Sequence, residues 1–323
     1  MIPIKSVPVQ LVDGCLELQE KPLPPPPNQS YFLGRSIAGA EASVLPSGSN
    51  PSSSSNSRPI VLSIAGYDPS AGAGVLADLK TFAALGVYGM ASITALTIQS
   101  TLGVRKVIGL DPGTVVETLD CLAEDVRFDA IKVGMLGSGA VAAAAMAWLQ
   151  GQKNVPVVLD PVMKSSSGKD LLDSEGSEIL RHAGLGRANW ITPNLAELAI
   201  LMGGLAPTNS EETENAARKL HRMAIRCGNP ALKIVVTGGH AKKPDDLLLV
   251  DGTSQWFRGE WIKTSSTHGT GCTFSSALAA RIALGDEPSQ AVANTKLYVT
   301  GALRQAYPIG TGKGPLNHSW KKA

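Results

Sequence analysis

Several signals of common functions are missing from this sequence. Its 29 Lys and Arg against 27 Asp and Glu leave no basic surplus, which removes the electrostatic case for nucleic acid as a partner. No stretch reaches the roughly 20 uncharged apolar residues of a membrane helix, so no membrane partner is expected. The four cysteines, Cys15, Cys121, Cys227 and Cys272, stand singly without a CxxC pair. That excludes the usual structural zinc and dithiol motifs and fits free thiols in a reducing cytoplasm. The phosphate-binding pattern GxxxxGK(S/T) is also absent, so a P-loop enzyme is excluded. Present in quantity are apolar residues (43%) and 34 glycines, enough for a sizeable core and many tight turns.

Residues 1–57 differ from the rest. They contain KPLPPPP at 21–27 and a run of only Pro, Ser, Gly and Asn at 46–57. Such composition cannot bury enough apolar surface to offset chain ordering, so this stretch is expected to be a disordered tail. It has no basic start followed by an apolar run, and Asp13, Glu17, Glu20 and Glu41 argue against an organellar transit peptide. The expected location is cytoplasmic. Residues 58–323 suit one α/β domain. Short apolar runs at 60–66, 89–98, 130–133, 155–159, 190–192 and 233–237 alternate with amphipathic segments at 74–85, 112–125, 138–150, 211–225, 272–284 and 289–306. Near-continuous apolar strands between helices predict a mostly parallel sheet covered on both faces. Residues 247–250 and 255–261, joined through Asp251-Gly252, predict a hairpin.

In such sheets ligands collect at the carboxyl ends of strands, and four strand ends carry chemistry. AGYDPSAGAG at 65–74 is a glycine loop that lets backbone approach a small ligand, with Asp78 following on the first helical turns. Gly72, Gly74 and Ala77 also match the dinucleotide pattern GxGxxA. Five residues separate that match from its strand, however, and no acid closes the second strand. A solvated helix position is the plain alternative for Asp78. LDPVM places Asp160 at a strand tip. In TPNLAE, Asn194 can cap a helix carrying Glu197 at its third position; together with Asp160, Glu197 can also hold Mg²⁺ through water while the ion coordinates phosphates. The fourth end is THGTGC, where Gly269, Thr270, Gly271 and Cys272 open a helix. Backbone N–H groups and the helix dipole make an anion hole there, suited to a transferring phosphoryl group. A thiol at Cys272 is expected to have a lowered pKa, unless it is a small buried hydrophobe. His268 can contact phosphate or be structural, and neither it nor His240 has metal-ligand spacing.

Taken together, these segments resemble the hydroxymethylpyrimidine/phosphomethylpyrimidine kinases of thiamine biosynthesis, in the ribokinase-like superfamily. The resemblance runs from about residue 60 to residue 318 through AGYDPSAGAG…ADLKT, ITALTIQST, KVGML, LDPVM, TPNLAE, TGGH, THGTGC and GKGPLNH, in family order. It implies a three-layer αβα sandwich and an enzyme that uses ATP and Mg²⁺ on a small-molecule substrate, first a primary alcohol and then its phosphate. It implies that Gly66, Asp78, Gln99 and Met135 line the pyrimidine site. Asp160 and Glu197 would handle the metal, and Asn194, Thr237, Gly238 and Lys263 the nucleotide. Gly269, Thr270, Gly271 and Cys272, with Lys263, would carry the transfer. Cys272 is expected to act as a base toward the alcohol and to be nearly dispensable toward the phosphate. By analogy the chain forms a homodimer, and no fused domain is expected beyond His318. Tyr67 stands where the family commonly has Ser, and Thr237 where it often has Lys. Pyridoxal or pyridoxine kinase, on the same fold, is the nearest alternative. An NAD-dependent oxidoreductase and an inactive binding module are the rivals from other classes.

Overall fold

The computed structural model describes residues 58–165, 167–239 and 243–320, together with two short strands near the start of the chain. Those strands, β1 (Leu11–Val12) and β2 (Cys15–Leu16), pair antiparallel. The Pro/Ser-rich stretches of the expected tail lie outside the described residues, as does His240.

Residues 58–323 form a compact unit of their own around one nine-stranded sheet. Its first strand, β3 (Ile60–Tyr67), has six consecutive buried residues, the mark of an interior strand with both faces covered. It sits mid-sheet. From it the chain moves outward through α1 (Gly74–Ala84) to the parallel strand β4 (Tyr88–Ser100), then to the antiparallel edge β5 (Gly103–Gly109). It then crosses back through α2 (Pro112–Asp125) to the other side of β3. There β6 (Ala130–Val133), β7 (Val157–Leu159), β8 (Trp190–Ile191) and β9 (Lys233–Val236) add in parallel. The hairpin β10 (Asp246–Val250) and β11 (Thr253–Phe257) closes the far edge antiparallel. The strand order is therefore β11-β10-β9-β8-β7-β6-β3-β4-β5. The chain turns in opposite directions on leaving β3 and β6, so the crevice for ligands opens at their carboxyl ends.

Alternate residues on each strand face opposite sides and build two separate cores. Leu62, Ile131 and Val157 pack with α2, α3 (Gly139–Gly151) and α7 (Ser210–Arg226). Val61, Ala130 and Val158 pack with α1, α8 (Thr270–Ala283) and α9 (Pro288–Arg304). All six expected strands and the hairpin are present. Strand β5 was not expected, because its Arg105-Lys106 pair and exposed pattern hide an edge strand that needs cover on only one side. The segment 174–187 was also not expected to be helical. It is a patchwork of α4 (Ser174–Ile179), a π-helical turn (Leu180–Gly184) and α5 (Leu185–Arg187), too short and irregular to show a helical period.

Beneath α1 and α8 lies a fully buried ion pair. Lys132 Nζ on β6 donates to both carboxylate oxygens of Asp78 on α1 at 2.9 and 3.1 Å, and both side chains are 0% exposed. Ser63 on β3 and Ser276 on α8 also donate to Asp78, each at 2.6 Å. One carboxylate thus ties two helices and two strands together. Removing Lys132 would leave an uncompensated buried charge, which typically costs about 3–5 kcal/mol. Lys132→Met is therefore expected to lower stability by about that amount, and Lys132→Met with Asp78→Asn to recover most of it. Urea unfolding of the two variants measures this; a single variant as stable as the parent would refute it.

Candidate active site

Two glycine loops meet at the carboxyl end of the sheet. The first follows β3 and is folded by Asp68, which is 3% exposed. Its carboxylate accepts from the Ser70 hydroxyl at 2.7 Å and from the backbone N–H groups of Ser70, Gly72 and Ala73 at 2.8, 3.3 and 2.9 Å. Burial alone would raise this carboxyl; hydrogen bonds from His268 and Ser70 outweigh it and hold the group below the usual range. The second loop opens α8. Gly269 is left-handed at φ 81°, and a Cβ there would lie 1.8 Å from the Gly72 carbonyl oxygen. Only glycine allows the two backbones to approach so closely. His268 Nε2 reaches back to Asp68 at 2.7 Å.

The second loop is braced from behind by the C-terminal segment. The His268 N–H donates to the Gly314 carbonyl at 3.0 Å, and His318 Nε2 lies 3.1 Å from the Thr273 hydroxyl. His318 is buried, and burial first, then Lys80 and His268, push it down to about 4, so it is a neutral imidazole. Thr270 bonds Thr267 through both its N–H and its hydroxyl, and the next amides of the first turn, Gly271 and Cys272, belong to the helix-start N–H groups that have no intrahelical partner and can serve an anion.

Cys272 is half-buried and differs from expectation. Desolvation pushes its thiol up to about 12; Lys132 pulls the other way, while Asp160 and Asp78 add to the rise. The thiol is thus raised where a lowered pKa was expected, because its burial, with Asp160 and Asp78 adding to it, outweighs Lys132 and the helix dipole. Cys272 is held as a neutral thiol.

Two carboxyl groups face each other at the ends of β7 and β8. Asp160, 4% exposed, accepts from Ser275 at 2.9 Å. Burial raises its pKa, partly offset by Lys132. Glu197 sits on α6 (Leu195–Met202), whose capping box matches the expectation: Asn194 accepts from the Ala196 and Glu197 N–H groups, and Glu197 accepts from the Asn194 N–H at 2.9 Å. Burial and then Asp160 push Glu197 up to about 8. Two buried carboxyl groups, one of which raises the other, each with an oxygen outside these bonds, form an oxygen-donor set suited to a hard divalent cation. Among the described residues no cluster of three metal-ligating side chains exists, so an ion here would complete its shell with water and phosphate.

At the ring end, Gly66 is buried, and a Cβ on it would lie 2.9 Å from Met135 Sδ, so these two expected residues adjoin. Met135 belongs to a small apolar cluster with Ala95 and Leu171, against which Val107 and Val162 pack, apart from both cores. The sequence reading missed this wall, since its members come from four separated segments without a shared motif. Gln99, at the end of β4, lies 2.9 Å from His268. Asp78 does not face the site: its side chain is 0% exposed with its oxygens bound to Lys132, Ser63 and Ser276. Thr237 bridges Asn194 across neighbouring strand ends. The Gly238 N–H donates to Asp246 at 2.9 Å. Lys263 is exposed on the segment leading to Gly269.

Comparison with known proteins agrees with this geometry. The phosphomethylpyrimidine kinase family profile matches residues 68–317. The chain is 41% identical over 262 residues to the hydroxymethylpyrimidine/phosphomethylpyrimidine kinase of Salmonella typhimurium, covering 80% of this chain and 96% of that protein. It is 40% identical over 260 residues to the thiamine biosynthesis bifunctional protein ThiED of Geobacter sulfurreducens, covering 80% of this chain and spanning only 52% of that relative. Among solved structures, the ADP complex of Bacillus subtilis pyridoxal kinase superposes with a TM-score of 0.74 at 33% identity, covering 81% of this chain and 98% of that one.

Proposed function

This chain belongs to the phosphomethylpyrimidine kinase family, and on that premise we propose how its site performs two phosphoryl transfers. It is an ATP-dependent kinase of thiamine biosynthesis that phosphorylates hydroxymethylpyrimidine and then the resulting monophosphate. The observation that carries this reading is the contact of the two glycine loops, which sets the apolar ring wall of Met135, Ala95 and Leu171 beside the anion hole. Gly66 and Met135 seat the ring and Gln99 reads its polar edge. The amides of Gly271 and Cys272, at the helix start closed by Gly269 and Thr270, receive the migrating phosphoryl group. Asn194, Thr237 and Gly238 face the nucleotide, and Lys263 reaches its phosphates from the exposed segment. Asp160 and Glu197 hold Mg²⁺, which neutralises phosphate charge when bound. Most of the rate then comes from in-line positioning and charge neutralisation, with little covalent work for the protein.

A neutral thiol at Cys272 has a consequence for the second step. The acceptor is then an anion, and an uncharged group in the hole does not repel it. Cys272→Asp is expected to depress transfer to the monophosphate by about tenfold or more relative to transfer to the alcohol, because like charges at contact distance cost well over 1 kcal/mol away from bulk water. Cys272→Ser is expected to affect both acceptors alike. A coupled ATP assay with hydroxymethylpyrimidine, its monophosphate and pyridoxal side by side reads this. It also separates the main reading from pyridoxal kinase, the alternative favoured by the structural neighbour; turnover of pyridoxal alone would reverse the assignment.

The carboxyl pair gives a pH dependence. Mg²⁺ needs Glu197 ionised, and a proton competes for that group below about 8. The Mg²⁺ concentration for half-maximal activity is expected to fall as pH rises from about 6.5 to 8.5 and to level off above, by up to about tenfold per unit for one displaced proton. Glu197→Gln removes the dependence. A flat profile in the parent would count against this site.

A cytoplasmic location is the reading that the absence of CxxC spacing in the sequence favours; among the described residues no helix is long and apolar enough to cross a membrane. The homodimer is supported by Leu96, Ile98 and Ile108, exposed by 39, 50 and 40% on the β4–β5 edge. Light scattering is expected to give twice the chain mass, and Ile98→Lys to give one.

A further inference from the structure

His268 has been given no role in the transfer, yet it touches both Asp68, which folds the first glycine loop, and Gln99, which is read as facing the ring. Its ring is clamped. A Cβ on Gly72 would strike its Cδ2 at 2.4 Å, and the backbone N–H of His268 holds the Gly314 carbonyl at 3.0 Å. The side chain is only 12% exposed. A single ring atom, Nε2, lies 2.7 Å from Oδ2 of Asp68 and 2.9 Å from the Gln99 amide atom placed as Nε2.

These two distances fix the proton. Asp68 already accepts from Ser70, Gly72 and Ala73 and, as a carboxylate, can only accept. The nitrogen facing it therefore carries hydrogen. A ring nitrogen that carries hydrogen has no lone pair for a second donor, so an –NH₂ group of Gln99 cannot face it. Amide oxygen and nitrogen are assigned from such networks, and this one requires the Gln99 carbonyl oxygen to face His268. The –NH₂ group then falls on the other side.

We infer that His268, fixed by Asp68, is a positioning residue that sets the hand of the Gln99 amide and so selects the ring edge the site accepts. The inference rests on the reading of Gln99 as the ring-facing amide. With one lone pair of Oε1 turned to the single His268 N–H, which it shares with Asp68 in a three-centre bond, the amide presents its remaining lone pair and its N–H in a fixed left-to-right order. The complement is a ring nitrogen acceptor flanked, on the matching side, by an exocyclic N–H donor, which is the edge of an aminopyrimidine. A pyridine ring with no such amino group satisfies one of the two and leaves the other unpaired, and unpaired polar groups in a site are what reject a wrong ligand. An amide free to turn over would lose this discrimination, since either order would be available.

The test uses the full chain with His268→Phe, which keeps a flat ring and removes the N–H. His268→Gln is its partner, because its amide N–H reaches the place of Nε2. Phe at 268 is expected to raise KM for hydroxymethylpyrimidine by about tenfold, to leave KM for ATP unchanged, and to narrow the preference over pyridoxal. His268→Gln is expected to restore most of the loss. His268→Asn, whose shorter amide cannot reach Gln99, provides the same contrast should the Phe variant fail to fold by thermal melting. An unchanged KM for hydroxymethylpyrimidine, an equal loss on both rings, or a rise in KM for ATP of the same size would overturn the inference while leaving the kinase reading intact. Absence of hydroxymethylpyrimidine turnover in the parent would overturn the kinase reading itself, and this inference with it.

Discussion

A lysine and an aspartate shut away from water hold this site in place. Asp78 on α1 and Lys132 on β6 have no solvent to fall back on, so each is worth keeping only where the other is. With Ser63 and Ser276 the pair leaves one geometry for α1 and α8 against the sheet. Those helices begin at the two glycine loops, so the contact of Gly72 with Gly269 hangs from their first turns. Buried pairs of this kind seldom add net stability. What this one contributes is position: a shift of α8 along its axis would break the Ser276 bond and move the anion hole with it.

The same interior explains the charge state of what lies above it. Burial pushes Asp160 and Glu197 up, and Lys132 offsets only part of this at Asp160. A site with more buried carboxylates than cations is one that a metal ion completes. Burial of the thiol, with Asp160 and Asp78 adding to it, keeps Cys272 protonated against the pull of Lys132 and the helix dipole. The dipole of one helix end is worth about 0.3–1 kcal/mol at exposed positions, too little to ionise a thiol in such company. A dipole argument made from sequence alone names the favourable term and omits the neighbours that outweigh it.

Much of the fold was legible because it repeats one rule. Apolar runs such as 60–66 and 130–133 alternate with amphipathic helices, and both faces of an interior strand must be apolar. Strand β5 escaped because an edge strand obeys no such rule, and 174–187 because a π-turn breaks its period. Within the site, glycine loops and the Asn194–Glu197 cap are local and could be read in place. The buried partnership of Asp78 could not be, since Lys132 lies 54 residues away and nothing in ADLKT says which way its carboxylate turns. The apolar wall around Met135 was equally hidden, being assembled from β4, β5 and two loops.

The contact between Gly72 and Gly269 joins the two ends of the chemistry. One loop starts against Met135 and the other is the proposed seat of the phosphoryl group, and a carbonyl oxygen of the first fills the space a Cβ would need on the second. A ring seated against Met135 is thereby placed at a set distance from the amides of α8 before any nucleotide arrives. Holding reactants in line is the largest share of catalysis available to a phosphotransferase that makes no covalent intermediate. Two successive acceptors on one ring differ in length by a phosphate group, so a single rigid ring seat cannot present both reacting oxygens at one point. The rigid parts are the glycine contact and the ion pair beneath it. The adjustment therefore falls to the acceptor's own methylene and phosphate torsions, inside a hole whose central side chain carries no charge to resist either oxygen.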